Sequence, residues 1–240
     1  MKNWKEHAHS RSFESILQTR FYEFEKHHNN RFINLLYNER LRRILRMLES
    51  EVDLNWKTCT VLDLGCSRGF FSKVISMKFR TIGIDSIKRF EFHGVSNLDF
   101  VLADISSMPF KSQSIDIVVC ASVLEHLLDL RGSILKIKHV LKKNGILIAG
   151  YPVETSLFKF VWRYVSPWSF RYIDQRQTYW VDPLTRKREC YWESSETHKQ
   201  TYQEIRKVLN ENFQVLEEEK LPFDKLPDSI TYYECIKMRN

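Results

Sequence analysis

Two hydrophobic periodicities divide the chain. Apolar residues recur at helical spacing from Ile33 to Leu48, and charged residues occupy the other face, which predicts an amphipathic helix. From Cys59 onward, short apolar runs alternate with helical segments. The runs predicted to be buried strands are Thr60 to Leu64, Thr81 to Ile84, Asp99 to Ala103, Ile115 to Cys120 and Ile146 to Gly150. This alternation predicts an α/β fold with right-handed crossovers and a parallel sheet covered on both faces.

The helices and the C-terminal strands have their own signals. Crossover helices are predicted around Phe71, Val74 and Ile75, and where apolar residues recur from Leu130 to Leu141. Thr201 and Glu204 match a capping box at the start of a further helix. Two strands follow, Phe213 to Glu218 and Thr231 to Met238. Only a short, turn-rich stretch separates them, so they are expected to pair antiparallel at the edge of the sheet.

The stretch from residue 155 to 199 interrupts the alternation, because it is crowded with aromatic and basic residues. We interpret it as a cap inserted over the sheet. Its aromatic side chains suit an apolar, cation-lined acceptor pocket, or stacking on RNA bases, or simply the core of the cap itself. The core of the cap is the favoured explanation for most of them. The predicted organisation is an N-terminal helical extension (1–57) followed by one domain (58–240).

Composition narrows the setting of the protein. The 240 residues, 43% of them hydrophobic, suffice for one sizeable core, and the formal net charge of +7 favours an anionic partner. Five cysteines without a C-x-x-C pair indicate neither a disulfide framework nor a zinc cluster. No signal peptide or apolar run long enough to cross a membrane is seen. A soluble, cytoplasmic protein is therefore expected, with peripheral membrane contact left open.

A glycine-containing turn follows the first predicted strand. The run from Asp63 to Gly69 leads from a buried strand into a helix, and its glycines allow a sharp bend and close approach of a ligand. Such turns also open dinucleotide and phosphate sites. Asp85 ends the next strand about 20 residues later, where a carboxylate can accept hydrogen bonds from ribose hydroxyls. Asp104 ends the strand after that.

These pieces together resemble the class I S-adenosylmethionine-dependent methyltransferase family, in its small-molecule branch, over residues 58 to 150. The run from Ala121 to Leu127 and the turn into the fifth strand resemble it too. The resemblance implies a Rossmann-like, seven-stranded, mostly parallel sheet of order 3-2-1-4-5-7-6, with S-adenosylmethionine as cofactor. It also implies the residues that contact the cofactor, which are Asp63, Gly65, Cys66, Ser67, Gly69, Asp85, Asp104, Ile105 and Ala121. Ser67 departs from the glycine usual in the family, and a serine is tolerable there if its φ is negative.

Three residues are candidates for proton transfer. Glu125 and His126 follow the fourth strand, and His198 precedes the capped helix. An imidazole is suited to take a proton from a hydroxyl near neutral pH, although each residue singly also has a purely structural explanation. Related enzymes bind a divalent metal through a Glu-x-x-Glu-His run. Here Ser122 replaces the first glutamate, so no metal is expected.

The sequence therefore predicts a methyltransferase that acts on an oxygen or carbon of a small-molecule, lipid or saccharide acceptor. The positive net charge of the chain favours an acceptor that carries negative charge. Two alternatives remain open. An RNA methyltransferase is supported only by the positive net charge, so nucleic acid is not the favoured partner. A non-catalytic module that retains the cofactor is the other alternative.

Overall fold

A computed structural model describes residues 31–51, 58–153, 179–181, 188–190, 198–224 and 227–240. Within these residues the helices are α1 (Arg31–Glu49), α2 (Phe70–Ile75), α3 (Leu130–Val140) and α4 (Tyr202–Asn212). The strands are β1 (Thr60–Leu64), β2 (Arg80–Asp85), β3 (Leu98–Leu102), β4 (Ile115–Ala121), β5 (Leu141–Pro152), β6 (Tyr179–Val181), β7 (Arg188–Cys190), β8 (Gln214–Leu221) and β9 (Tyr233–Arg239).

Seven of these strands form one sheet in the order β3-β2-β1-β4-β5-β9-β8. The first five strands pair in parallel, and β9 joins β5 and β8 in antiparallel fashion. Counted along the large sheet alone, this is the predicted order 3-2-1-4-5-7-6. The predicted fold class and the antiparallel edge are therefore confirmed.

The sheet is buried on both faces, as continuous apolar strands require. Successive side chains of a strand point to opposite faces. Leu62 and Val118 accordingly join the core cluster that contains α3 and α4 residues, whereas Val61 and Ile117 join the cluster that contains α1 and α2 residues. Helix α1, predicted from its periodicity, thus covers one face of the sheet with its buried C-terminal half.

The fifth strand differs from its prediction. It begins at Leu141, directly after the last residue of α3, and not at Ile146. Leu141 had fitted the helical spacing of α3, but it pairs with Ile115 of β4 instead. Apolar spacing alone could not separate the end of a helix from the start of a buried strand.

Part of the predicted architecture lies outside the described residues. This applies to residues 1–30 and 52–57 of the N-terminal extension, and to most of the cap at 155–199. The described part of the cap contains a hairpin in which β6 pairs antiparallel with β7. In the described part of the chain, no helix combines the length and the apolar character needed to span a membrane.

Candidate active site

The turn after β1 depends on two glycines in the left-handed region. Gly65 has a φ of 68° and Gly69 a φ of 87°, a conformation that costs other residues free energy. A Cβ at Gly65 would lie 2.4 Å from Val123 Cγ2, and one at Gly69 would lie 2.2 Å from Phe90 Cε2. Both glycines are therefore needed for the bend and for the side chains that pack against it.

Ser67 also has a positive φ, 49°, so the condition of a negative φ, under which a serine is tolerable here, is not met. The physical reason is a hydrogen bond: in this conformation the Ser67 backbone N–H donates to Asp85 Oδ2 at 2.8 Å. A left-handed backbone at a residue other than glycine stores strain and persists where the surroundings fix it. The turn is thus fastened to the end of the neighbouring strand.

Asp85 connects the ends of three strands. Its second carboxylate oxygen, Oδ1, accepts from the Ile87 N–H at 2.8 Å, and its carbonyl accepts from the Ala103 N–H at 3.0 Å. A carboxylate offers about four lone-pair sites. Each Asp85 oxygen therefore keeps acceptor capacity beyond the backbone hydrogen bond that holds it beside the turn.

Other predicted cofactor residues have well-defined surroundings. Asp104 caps a short 3₁₀ turn, because its Oδ1 accepts from the Ser106 N–H at 2.7 Å. The Ile105 side chain is buried in the main core cluster. The Cys66 side chain packs inward, where a Cβ on Gly83 would lie 2.9 Å from its sulfur, and its amide donates to Ile84.

Asp63 lies under the turn and is buried, with 2% of its surface exposed. Its Oδ2 accepts a hydrogen bond from the Ser72 hydroxyl at 2.5 Å. Burial raises the pKa of the Asp63 carboxyl to about 7, Ser72 opposes that rise, and the nearby Asp85 charge adds to it. Asp63 is therefore a group that can change its charge near neutral pH.

A second turn follows β4, after the half-buried Ala121. Ser122 has a φ of 57°, and its N–H donates to the Gly150 carbonyl at 2.8 Å. Its hydroxyl accepts from Arg40 at 3.2 Å and is hydrogen-bonded to the Tyr233 hydroxyl at 2.9 Å. Neither Arg40 nor Tyr233 was predicted to lie here, and no local motif marks them. Only the placement of α1 and β9 beside β5 brings them together.

The three predicted proton-transfer residues meet beyond this turn. Glu125 is buried, His126 is half-buried and His198 is exposed. The two imidazole rings lie edge to face, with centroids 5.1 Å apart. One donor atom from each of the three side chains lies within 4.8 Å of the others. The structure thus unites residues that the sequence had only suggested separately, and this donor set could hold a metal ion.

The backbone fastens the His198 segment to the Glu125 turn. The N–H groups of Lys199 and Gln200 both donate to the Glu125 carbonyl, at 2.6 and 3.2 Å. The Gln200 side-chain amide donates to the Leu127 carbonyl at 2.8 Å. Gln200, which the sequence did not single out, therefore holds two distant segments together.

The glycine turn with Asp85 and the cluster of Glu125, His126 and His198 lie next to each other. Val123, whose side chain packs on Gly65, stands two positions before Glu125. Both groups lie at the carboxyl ends of the parallel strands, where ligands of open α/β sheets bind. The arrangement offers a glycine turn with a carboxylate on one side, and a carboxylate with two imidazoles on the other.

Known proteins resemble this chain in sequence. Residues 55–212 match the family model of a methyltransferase domain. An uncharacterized protein of Methanocaldococcus jannaschii is 30% identical over 131 residues, which are 53% of this chain and 54% of that protein. The chain thus spans about half the length of this relative.

Solved structures resemble the fold. The N-methyltransferase NodS of Bradyrhizobium japonicum, in complex with S-adenosylhomocysteine, superposes with a TM-score of 0.56 at 17% identity, covering 96% of this chain and 99% of that one. A Burkholderia thailandensis 1,6-didemethyltoxoflavin-N1-methyltransferase, also with S-adenosylhomocysteine, gives a TM-score of 0.53 at 15% identity, covering 95% and 88%. The chain belongs to the methyltransferase domain family and has the fold of the class I S-adenosylmethionine-dependent methyltransferases.

Proposed function

We propose that this protein transfers the methyl group of S-adenosylmethionine to an oxygen or carbon of a small-molecule, lipid or saccharide acceptor. The observation that carries the proposal is the pairing of the two site halves through Val123 and Gly65. In this proposal the domain 58–240 carries the reaction, and the aromatic segment 155–199 contributes to the acceptor side.

The residues present fit an adenosyl cofactor. The Gly65 turn leaves its backbone without a Cβ at the carboxyl end of β1, and Asp85 stands beside it with lone pairs to spare for ribose hydroxyls. Asp63, Ser67, Gly69 and the backbone of Cys66 would then border the methionine part. Asp104, Ile105 and Ala121 complete the assignment as residues near the adenine ring and the methionine amine.

The chemistry suits the other half of the site. When bound, the cofactor supplies a methyl group on a positively charged sulfur, and its transfer is accelerated chiefly by alignment and exclusion of water. The protein must in addition remove a proton when the acceptor is a hydroxyl. His126 and His198 have the side chain for that task, and the buried Glu125 carboxylate beside them would stabilise a protonated imidazole.

Among these acceptor classes a small molecule is favoured. One solved structure of similar fold is named for a small heterocyclic substrate, 1,6-didemethyltoxoflavin. The net charge of +7 favours an acceptor that carries negative charge, such as an acidic lipid or saccharide.

Binding of the cofactor can be tested by calorimetry with S-adenosylmethionine and S-adenosylhomocysteine. Asp85→Ala should weaken binding by about 1 to 3 kcal/mol, the scale of a hydrogen bond to a charged group. Asp99→Ala is the matched control, because Asp99 is exposed on the neighbouring strand β3, and it should leave the affinity unchanged. Equal affinities for wild type and Asp85→Ala would refute the ribose assignment.

Transfer can be tested with a labelled methyl group offered to small-molecule, lipid, saccharide and RNA fractions. Label is expected in a fraction of small molecules, lipids or saccharides. His126→Ala and His198→Ala should slow turnover more than they weaken cofactor binding. Label in RNA, with binding that falls steeply as salt rises, would replace the proposed acceptor. Cofactor binding without transfer to any fraction would leave a non-catalytic module.

A further inference from the structure

The cluster of Glu125, His126 and His198 has the composition of a metal site. Its donors are a carboxylate oxygen and two imidazole nitrogens, and one such atom from each residue lies within 4.8 Å of the others. Bonds from zinc to nitrogen or oxygen are about 2.0 to 2.2 Å long, which places ligand atoms within about 4 Å of one another. A small movement of the exposed His198 ring would therefore complete the set.

The convergence is built into the backbone. Glu125 and His126 share one 3₁₀ turn, and the residues after His198 are held to that turn by the Lys199 and Gln200 amides. Helix α4 begins immediately afterwards, with a complete capping box at Thr201. The segment that carries His198 is thus held by the Lys199 amide, the Gln200 amide and the capped helix start, so its side chain loses little further freedom when it binds an ion.

The donor set also selects the class of ion. Magnesium and calcium take sites made of oxygen ligands, whereas imidazole suits zinc, iron, nickel and copper. Two histidines and one glutamate are the ligands of one class of catalytic zinc site, and catalytic zinc sites keep a position open for water or substrate. We infer that Glu125, His126 and His198 bind one divalent transition-metal ion beside the cofactor turn.

The inference departs from the sequence prediction for a structural reason. That prediction counted ligands along a single run and found Ser122 in place of a carboxylate. The third ligand comes instead from His198, on a segment far along the chain. Resting on the proposed function, the site narrows the acceptor to one with a hydroxyl or enolate oxygen, because an ion with an open position binds such an oxygen and lowers its pKa.

Metal binding is tested on the full chain after treatment with a chelator and removal of any purification tag. Co²⁺ is followed by visible absorption and Zn²⁺ by calorimetry. One ion per chain is expected, and Glu125→Gln and His198→Ala should each weaken its binding about 100-fold or more, as loss of a direct ligand exceeds the loss of an outer partner. His139→Ala, at an exposed histidine on α3, should change nothing.

The N-terminal region requires its own control, since it contains four further histidines: His7, His9, His27 and His28. A variant with all four replaced by alanine should bind the ion as wild type does. The inference is overturned if wild type binds no ion, or if binding survives His126→Ala/His198→Ala. Circular dichroism confirms the fold of each variant, and the exposed His198 makes His198→Gln a second, milder substitution.

Failure of this inference and failure of the proposed function are distinguishable. S-adenosylhomocysteine binding, measured by calorimetry on the same samples, should be the same for wild type and His198→Ala. Cofactor binding without metal binding leaves the methyltransferase proposal standing and removes the metal site. Metal binding without cofactor binding leaves the metal site standing and removes the methyltransferase proposal.

Discussion

The two halves of the candidate site are assembled in opposite ways. On the cofactor side, the hydrogen bond that fastens the turn joins Ser67 to Asp85, which are 18 positions apart and belong to consecutive strand and turn units. On the acceptor side, Arg40 reaches Ser122 across 82 positions, and Ser122 reaches Tyr233 across 111. The first half is thus encoded locally, whereas the second exists only once the whole sheet has formed.

The two halves also handle charge differently. Asp63 is a single buried carboxyl that accepts a side-chain hydrogen bond from a neutral hydroxyl, that of Ser72. Glu125 is equally buried, at 2% exposure, but it stands beside two histidines. Burial disfavours the charged form of the Asp63 carboxyl, and the Ser72 hydroxyl opposes that effect only in part. A substitution at Asp63 tests this account.

The largest effect is expected from Asp63→Asn. The pKa of the folded carboxyl, about 7, is raised above the ordinary value of 3.8, so between those values the folded state keeps a proton that the unfolded state has released. Stability from this group is therefore present at low pH and is lost as pH rises to about 7. Asparagine removes this dependence while keeping an acceptor for Ser72.

Relative to wild type, the Asp63→Asn variant should gain up to about 4 kcal/mol of unfolding free energy between pH 4 and pH 8, at about 1.4 kcal/mol for each pKa unit. Urea denaturation at several pH values measures it, with Asp99→Asn as an exposed control. A difference that stays constant with pH would mean that the pKa of Asp63 is not raised in the folded state.

Gly69→Ala tests the cofactor side by packing. The φ of 87° costs an alanine about 1 kcal/mol, and its Cβ would overlap Phe90, which is stacked on Phe100 with ring centroids 4.7 Å apart. Because Phe90 has little room to move, the overlap should add about 2 kcal/mol. The total expected loss of unfolding free energy is about 3 kcal/mol.

Gly94→Ala is the matched control for this substitution. Gly94 has a similar φ of 77°, but a Cβ there would meet nothing within 4 Å. It should therefore show the backbone cost alone, about 1 kcal/mol. Equal losses at Gly69 and Gly94 would show that Phe90 yields without cost and that the turn is not rigidly packed.

The same contrast explains how much the sequence could predict. Strand β1, the antiparallel β9 and the capping box at Thr201 agree with their predictions because alternation, loop length and capping are local signals. The family and the sheet order were predictable because the glycine turn and Asp85 keep a fixed spacing. The predicted start of β5 was wrong, because Leu141 satisfies the apolar pattern of a helix and of a strand alike.

On the acceptor side, prediction reached only single residues. Glu125, His126 and His198 were named, but their meeting depends on the Lys199 and Gln200 amides, and no periodicity encodes such contacts. Likewise, nothing local marks Tyr233 as a partner of Ser122. The left-handed Ser67 was missed because its conformation is set by the Asp85 carboxylate, and not by the preference of serine.

The smallest expected effect concerns the capping box at Thr201, which starts the helix after His198 on the acceptor side. The Thr201 hydroxyl accepts from the Glu204 N–H, and the Glu204 carboxylate accepts from the Thr201 N–H. Thr201→Ala removes the first bond and should lower the unfolding free energy by about 1 kcal/mol, measured by urea denaturation. Ser96→Ala, at an exposed loop serine, should leave it unchanged.

A loss of global stability alone would not reveal what the capping box at Thr201 contributes to the site. Hydrogen exchange of the Lys199 and Gln200 amides therefore provides the second measurement. Both amides lie directly before the capped helix, and both donate to the Glu125 carbonyl. If the capping box at Thr201 helps to hold His198 against the Glu125 turn, these two amides should exchange faster in Thr201→Ala. The Ser67 amide on the cofactor side should keep its exchange rate. Unchanged exchange at both amides would show that the acceptor side is held by its own contacts, independently of the helix start. The acceptor side would then keep its structure without the helix start, although its residues come from distant parts of the sequence.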